Sequence, residues 1–233
     1  MAKDRIALVT GANKGIGFEI ARQLAEKGFH VFVGARKVLD GQQAAATIAK
    51  SGGSAEFVEI DVSDRGSIEK AAGAVASKVD HLDVLVNNAG IMQDSADITG
   101  VDDQTLLTTL TTNTLGPLRV TQAFLPLLLK GARGTVVNLS SGLGQLNDMG
   151  DTYPAYSISK TALNAVTRQF AAALRDRGIT VNSVCPGWVK TDMGGPNAQR
   201  TVQQGADTVT WLATEAPRDV TGQFLRDRKT IPW

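Results

Sequence analysis

Apolar residues recur along this chain in two periods, and the two alternate. Ile6-Ala7-Leu8-Val9-Thr10 is a continuous apolar run bounded by glycine, the pattern of a strand buried on both faces. Phe18 to Lys27 then repeats apolar positions at helical spacing and stops at Gly28, a residue suited to a helix C-cap. The pairing recurs with a strand at His30–Gly34 and a helix at Leu39–Lys50, then a strand at Ala55–Ile60 and a helix capped by Ser63 or Asp64 that runs to about Val79. A fourth strand at Val84–Val86 leads to a long helical pattern from Asp103 to Lys130, interrupted at Asn113-Thr114-Leu115-Gly116-Pro117. Thr135–Leu139 and Thr180–Val184 predict the fifth and sixth strands, with a helix from Pro154 to Asp176 between them. A helix from about Ala198 to Thr214 and a short strand near Gln223–Leu225 complete an α/β pattern.

Between the first strand and its helix stands Gly11-Ala12-Asn13-Lys14-Gly15-Ile16-Gly17. Glycines let a backbone approach an anion, and the free N–H groups and dipole of the helix hold it, so the position predicts a pyrophosphate site. The spacing departs from G-x-G-x-x-G. Some twenty residues on, where an acid would hydrogen-bond the ribose of NAD, the second strand ends in Ala35-Arg36. An arginine there accommodates a 2′-phosphate, and Lys14 adds a second positive charge, so the pair favours NADPH. Asp61-Val62 falls where an adenine edge would lie, and Asn87-Asn88-Ala89-Gly90 supplies small and amide residues for a backbone passing close to a cofactor.

Tyr156 and Lys160 are spaced i, i+4, so a phenol and an ammonium share one helix face one turn apart. At ~5 Å and an effective dielectric of ~20 the attraction is ~3 kcal/mol, roughly two pKa units toward the phenolate. That brings a tyrosine into working range for proton transfer. The fifth strand delivers Ser140-Ser141 to the edge where open α/β sheets bind ligands, and alternation points one of the two away. Asn113 sits inside a helix, one turn before Pro117, where an asparagine needs a partner or a role. Cys185 to Pro196 is too long for a simple connection and reads as a lid over about 187–200.

Composition narrows the partners. The 233 residues are 42% hydrophobic, enough for a large core, and predict one domain over 1–233. Lys and Arg number 24 against 23 Asp and Glu, with no basic cluster for nucleic acid or an anionic membrane, so a small-molecule partner is expected. The start at Met1-Ala2-Lys3-Asp4-Arg5 leads straight into a short strand-like run, and no run approaches transmembrane length, which predicts a cytoplasmic protein. The one cysteine, Cys185, excludes an intramolecular disulfide, and with His30 and His81 far away in sequence it reads as a small buried residue. No metal site is expected.

With Thr10 to Gly17, Asn87 to Gly90, Asn113, Ser141, Tyr156, Lys160 and Pro186-Gly187 in this order, the sequence resembles the short-chain dehydrogenase/reductase family over nearly its whole length. Asn13-Lys14 and the ending from Phe224-Leu225-Arg226-Asp227 to Trp233 look most like its NADPH-using carbonyl-reductase branch. The resemblance implies a single Rossmann-type doubly wound parallel sheet, order 3-2-1-4-5-6-7, with helices on both faces. It implies a catalytic tetrad of Asn113, Ser141, Tyr156 and Lys160. NADP(H) would be held by Gly11, Asn13, Lys14, Gly15, Ile16, Gly17, Arg36, Asp61, Val62, Asn88, Ala89, Gly90, Tyr156, Lys160, Pro186, Gly187, Val189 and Thr191. Tyr156 would donate the proton to a ketone or aldehyde oxygen as hydride arrives, and act as the base in reverse. Lys160 would lower the tyrosine pKa and hold the nicotinamide ribose, Ser141 would bond the substrate oxygen, and Asn113 would anchor a water passing protons to Lys160. Ser141 rather than Ser140 matches the family's serine. Met92, Leu143, Leu146, Trp188 and Met193 are the expected substrate pocket. Only fourteen residues separate Ser141 from Tyr156, so the insertion of monomeric relatives is absent and a homodimer or homotetramer on the two long helices is expected. The same groups would serve reduction of an activated carbon–carbon double bond, whereas a non-catalytic NADPH-sensing regulator has no need of Tyr156 and Lys160 together.

Overall fold

In this computed structural model, which describes residues 5–94 and 96–233, the alternating pattern becomes one sheet with helices on both faces. The first part of the chain runs β1 (Arg5–Thr10), α1 (Gly15–Glu26), β2 (Phe29–Ala35), α2 (Val38–Lys50), β3 (Ser54–Glu59), α3 (Arg65–Ala76) and β4 (Val84–Asn87). It continues as α4 (Asp103–Leu110), α5 (Gly116–Leu128), β5 (Thr135–Leu139), α6 (Pro154–Leu174), β6 (Thr180–Val184), α7 (Val202–Thr214), β7 (Phe224–Arg226) and β8 (Lys229–Thr230). The strands lie in the order β3-β2-β1-β4-β5-β6-β7-β8, parallel as far as β7. The order implied by the family is therefore present, with one addition. Asp227 and Arg228, both at positive φ, turn the chain back so that β8 pairs antiparallel with β7. The expectation drawn from Met1–Asp4 lies outside the described residues.

The continuous apolar runs are explained by burial on both sides of the sheet. Ala7 and Val9 face a core shared with Ile20, Leu24 and Val209, while Ile6 and Leu8 face a second core with Ile68, Phe124 and Leu128. Each such aliphatic side chain contributes about 1.5–3 kcal/mol by leaving water. A polar thread crosses the second layer. Asn87 Nδ2 donates to Thr121 Oγ1 at 3.1 Å and Asn138 Oδ1 at 2.8 Å, and Asn138 Nδ2 donates to Thr167 Oγ1 at 2.8 Å. Thr167 pairs with Ser183 at 2.8 Å, so β4, β5, β6, α5 and α6 are locked in register.

Two sequence expectations change. The long helix from Asp103 to Lys130 is two helices joined by a π-helical turn at Thr111–Leu115, because Pro117 has no N–H to give the carbonyl of Asn113. The last helix starts at Val202 rather than Ala198, because Thr201 and Gln204 form a capping box there. The residues just before it return beside the start of the preceding loop through a bridge between Val189 and Arg200. Among the described residues no helix is long and apolar enough to cross a membrane.

Candidate active site

The carboxyl ends of β1, β4 and β5 meet at one edge, and side-chain hydrogen bonds tie their turns together. Thr10 Oγ1 accepts from Asn88 N and Ala89 N, both at 3.1 Å, and Asn88 Nδ2 donates to the carbonyls of Thr10 at 2.9 Å and Gly11 at 3.0 Å. This close approach explains Gly17: a Cβ there would lie 2.3 Å from Asn88 Nδ2 and 2.4 Å from the Gly11 carbonyl. α1 begins at this point without a side-chain cap and without an acid in its first turn. By contrast Asp64, Asp102 and Thr201 cap α3, α4 and α7. The uncapped N–H groups of α1 border the cleft and are open to an anion. Arg36 follows β2 with its side chain two-thirds exposed, 4.0 Å from Asp61. Lys14, expected to add a second positive charge from the glycine loop, lines the same cleft. It pairs with Asp192 at 2.5 Å, and that contact holds the Asp192 carboxyl below its ordinary pKa.

α6 carries the phenol and the amine. Its N-cap, Tyr153, is left-handed at φ 52° and offers no cap of its own. Asp94, from the loop after β4, supplies one: its carboxylate accepts from Ala155 N at 2.6 Å and Tyr156 N at 3.2 Å. Tyr156 is thereby fixed in the first turn, with the Ser141 hydroxyl near enough to pull the phenol's pKa down. Lys160, buried one turn on, donates to the Leu139 carbonyl at 2.7 Å and lies 5.5 Å from the centre of the Tyr156 ring. Ser140 is buried and its hydroxyl turns to the Lys160 carbonyl at 3.4 Å, so the two serines do point apart. Asn113 is fully buried, with Nδ2 donating to Ile91 O at 2.8 Å and Ser159 Oγ at 3.0 Å. Its Oδ1 accepts from Ile91 N at 2.8 Å and, like Lys160 Nζ, borders the space over Gly90.

The charge state differs from the simple Coulomb expectation. Burial raises the Tyr156 phenol to about 12, although the Ser141 hydroxyl pulls the other way. Burial also lowers Lys160 to about 8. At the pH where the phenol would ionise, the amine is already neutral, so in the ligand-free protein it lends the phenolate no charge. The sequence could supply the spacing of the two groups but not the dryness of their surroundings.

A cleft of about 880 Å³ runs along the edge from the glycine turn to Tyr156 and Lys160. Of the residues singled out in the sequence, Gly11, Asn13, Lys14, Gly15, Ile16, Gly17, Arg36, Asp61, Val62 and Asn88 to Gly90 line it. So do Tyr156, Lys160, Pro186, Thr191, Met92 and Met193. Others stand outside its lining, Asn113 and Ser141 among them, whereas Ser140 lines it. Val189 is buried against Gly205, Gly187 packs on Arg200, Leu146 is 68% exposed, and Trp188 bonds its indole to Gly194 O at 2.8 Å. Leu143 follows Ser141 on a short 3₁₀ turn, its N–H bonded to the Ser141 hydroxyl at 3.2 Å. Asp94 was not foreseen, since a cap contributed from 61 residues away leaves no local signature.

A parallel sheet in this order, with a glycine turn feeding an uncapped helix at its carboxyl edge, defines a Rossmann-type dinucleotide-binding fold. The profile of the short chain dehydrogenase family matches residues 5–202, and the chain belongs to that family. Among its relatives, carbonyl reductase (NADPH) 1 of Sus scrofa is 34% identical over 98% of this chain and 94% of its own length. The crystal structure of NADPH-bound carbonyl reductase from chicken fatty liver superimposes with a TM-score of 0.90 at 32% identity, covering 99% of this chain and all of that one. The carbonyl reductase Sniffer of D. melanogaster superimposes with a TM-score of 0.88 at 33% identity, covering 99% of both chains.

Proposed function

We propose that this chain is an NADPH-dependent reductase of ketones or aldehydes, reversible as an alcohol dehydrogenase. The observation that carries the reading is the meeting, in one cleft, of an uncapped helix start with a buried phenol and a buried amine one helix turn apart. The relatives named above, described as NADPH carbonyl reductases or seen with NADPH bound, support the choice of cofactor. The residues fit it, since the glycine turn leaves room that a Cβ at Gly17 would fill and the first-turn N–H groups suit a pyrophosphate.

NADPH, when bound, supplies the hydride. Arg36 takes the 2′-phosphate, and Lys14 reaches the same anion by leaving Asp192, an exposed partner that competes weakly. Tyr156, with a pKa of about 12, holds its proton through the neutral range and so stands ready as the donor to a carbonyl oxygen. Ser141 donates to that oxygen as negative charge builds on it, and also keeps the phenol oriented. In the reverse direction Tyr156 takes the alcohol proton as the phenolate, having first given up its own proton. Lys160 holds the nicotinamide ribose, and Asn113 Oδ1 positions a water next to Lys160 in the space over Gly90. Residues 187–200 act as a lid on a single domain. The same reading makes the protein cytoplasmic and a homodimer or homotetramer, joined on its two long helical stretches, α4–α5, where Leu107 and Leu115 are exposed, and α6.

The test is oxidation of NADPH and of NADH over a panel of ketones, aldehydes, diketones and quinones, with Tyr156→Phe alongside. The expected result is turnover that prefers NADPH, gives alcohol rather than a saturated carbonyl, and falls by about 10²–10⁴ in the variant. Retention of most activity in Tyr156→Phe would overturn the acid assignment. Arg36→Asp is expected to weaken NADPH far more than NADH, and equal losses would remove Arg36 from the phosphate site.

A further inference from the structure

β7 runs parallel to β6, so its last residue, Arg226, arrives at the same edge of the sheet as Ser141. Its neighbours are paired. Arg200 donates to Asp227 at 3.1 and 2.5 Å, and Arg228 donates to Asp207 at 2.8 and 2.5 Å. The side chain of Arg226 differs from both in having no hydrogen-bond or ion-pair partner among the described residues, and its Nε, like that of Arg200, is sealed from solvent. The one adjacent carboxylate, that of Asp227, is committed to Arg200. A sealed, unpartnered guanidinium N–H is costly to keep unless something completes it.

The side chain reaches toward the chemistry. A Cβ on Gly142 would lie 2.9 Å from Arg226 Nη2 and 3.8 Å from Cys185 Sγ, so the guanidinium rests directly on the residue after Ser141. With adjacent Cα atoms 3.8 Å apart, Nη2 is within about 8 Å of the Ser141 Cα. Gly142, by lacking a side chain, leaves that approach open. On the other flank Trp233 stacks on Phe224 with ring centroids 5.5 Å apart, and Gln145 donates to the Pro232 carbonyl at 2.9 Å.

We propose that Arg226 is a carboxylate-binding subsite, and that the carbonyl reduced by this protein belongs to a keto acid. The proposal rests on the reductase reading above and names its substrate class. With the carbonyl oxygen on Ser141 and Tyr156, a carboxylate one to three carbon–carbon bonds further along the substrate would turn toward the guanidinium. The planar fork of Arg226 takes such a group with two parallel bonds, which a neutral ester cannot return. Specificity follows from the same asymmetry, because a substrate without the acid leaves the cation unpaired.

The experiment compares kcat/KM for three acids with their methyl esters: benzoylformate, acetoacetate and 4-oxopentanoate, each with saturating NADPH. The wild type is expected to prefer the acid in at least one pair. Arg226→Gln is expected to lose more than about tenfold on that acid, through KM, and less than about threefold on its ester, with Arg226→Lys in between. Ester turnover by the same variant shows that it is folded. Esters favoured by the wild type, or equal losses on acid and ester, would overturn the subsite while leaving the reductase reading intact. If no pair turns over, the reductase reading fails for these substrates, and calorimetric titration of the NADPH-loaded protein with benzoylformate decides the subsite. Binding abolished by Arg226→Gln upholds it, and binding absent or indifferent to the variant overturns it.

Discussion

α1 and α6 both begin at the carboxyl edge of the sheet, and they begin in opposite ways. α1 has a backbone start with Gly15 at φ 60°, no side-chain cap and no acid in its first turn. α6 starts from a left-handed Tyr153, and Asp94 closes its first N–H groups from another part of the chain. An open start is a site for an anion brought from outside. A closed start has no such use, but it holds its first-turn side chains still. Tyr156 is one of those side chains, so one helix end binds while the other positions.

The largest effect on cofactor binding is expected where the open start is filled from within. Gly17→Ala places a methyl group 2.3 Å from Asn88 Nδ2 and 2.4 Å from the Gly11 carbonyl. Overpacking of this kind costs about 1–3 kcal/mol and pushes the two turns apart. Thermal unfolding and fluorescence titration with NADPH should both register it, as a lower midpoint and a weaker complex. Unchanged NADPH affinity would break the comparison, because the α1 start would then not be where the cofactor sits.

A second test sharpens the positioning side. Lys160 has a folded pKa of about 8 against 10.5 for the free side chain, and burial is the cause. Between those values the unfolded chain holds a proton that the folded chain has released, so stability gains as pH rises from about 8 to 10.5 and the full penalty applies below 8. Lys160→Met has no such proton. The difference in unfolding free energy, wild type minus variant, should rise by a few kcal/mol across that window, on the order of 1.4 per pKa unit. Denaturant titrations of the cofactor-free protein at pH 7.5 and pH 10.5 measure it. A flat difference would mean that the amine is better hydrated than its bond to the Leu139 carbonyl implies.

The binding side was the more legible of the two in sequence. Parallel strands buried on both faces are continuous apolar runs, and Thr135–Leu139 and Thr180–Val184 have the same bounds in the structure as in the pattern. The glycine turn was readable because tight backbone approach admits one residue type. What escaped depends on residues far apart in the chain. The cap from Asp94, the pair between Lys14 and Asp192 across 178 positions, and the thread from Asn87 through Asn138 to Thr167 have no period to reveal them. The return into β8 uses an Asp-Arg pair at positive φ, where an Asn-Gly would have announced the turn. The pKa of Tyr156 escaped for a related reason, since burial is a property of the assembled layers.

The smallest effect should come from removing the remote cap, and it is the one that separates the two helix starts most cleanly. Asp94→Ala leaves the N–H groups of Ala155 and Tyr156 without their acceptor, at a cost of about 0.5–2 kcal/mol. If Asp94 only stabilised the fold, activity per folded molecule would not change. If it positions the phenol, kcat falls several-fold while the KM for NADPH stays put, because the α1 start is untouched. Asp94→Asn keeps one acceptor oxygen in place and should recover part of the loss. The opposite split, with KM for NADPH rising and kcat steady, would mean that the loop after β4 serves the cofactor instead, and that the division between a binding end and a positioning end does not hold.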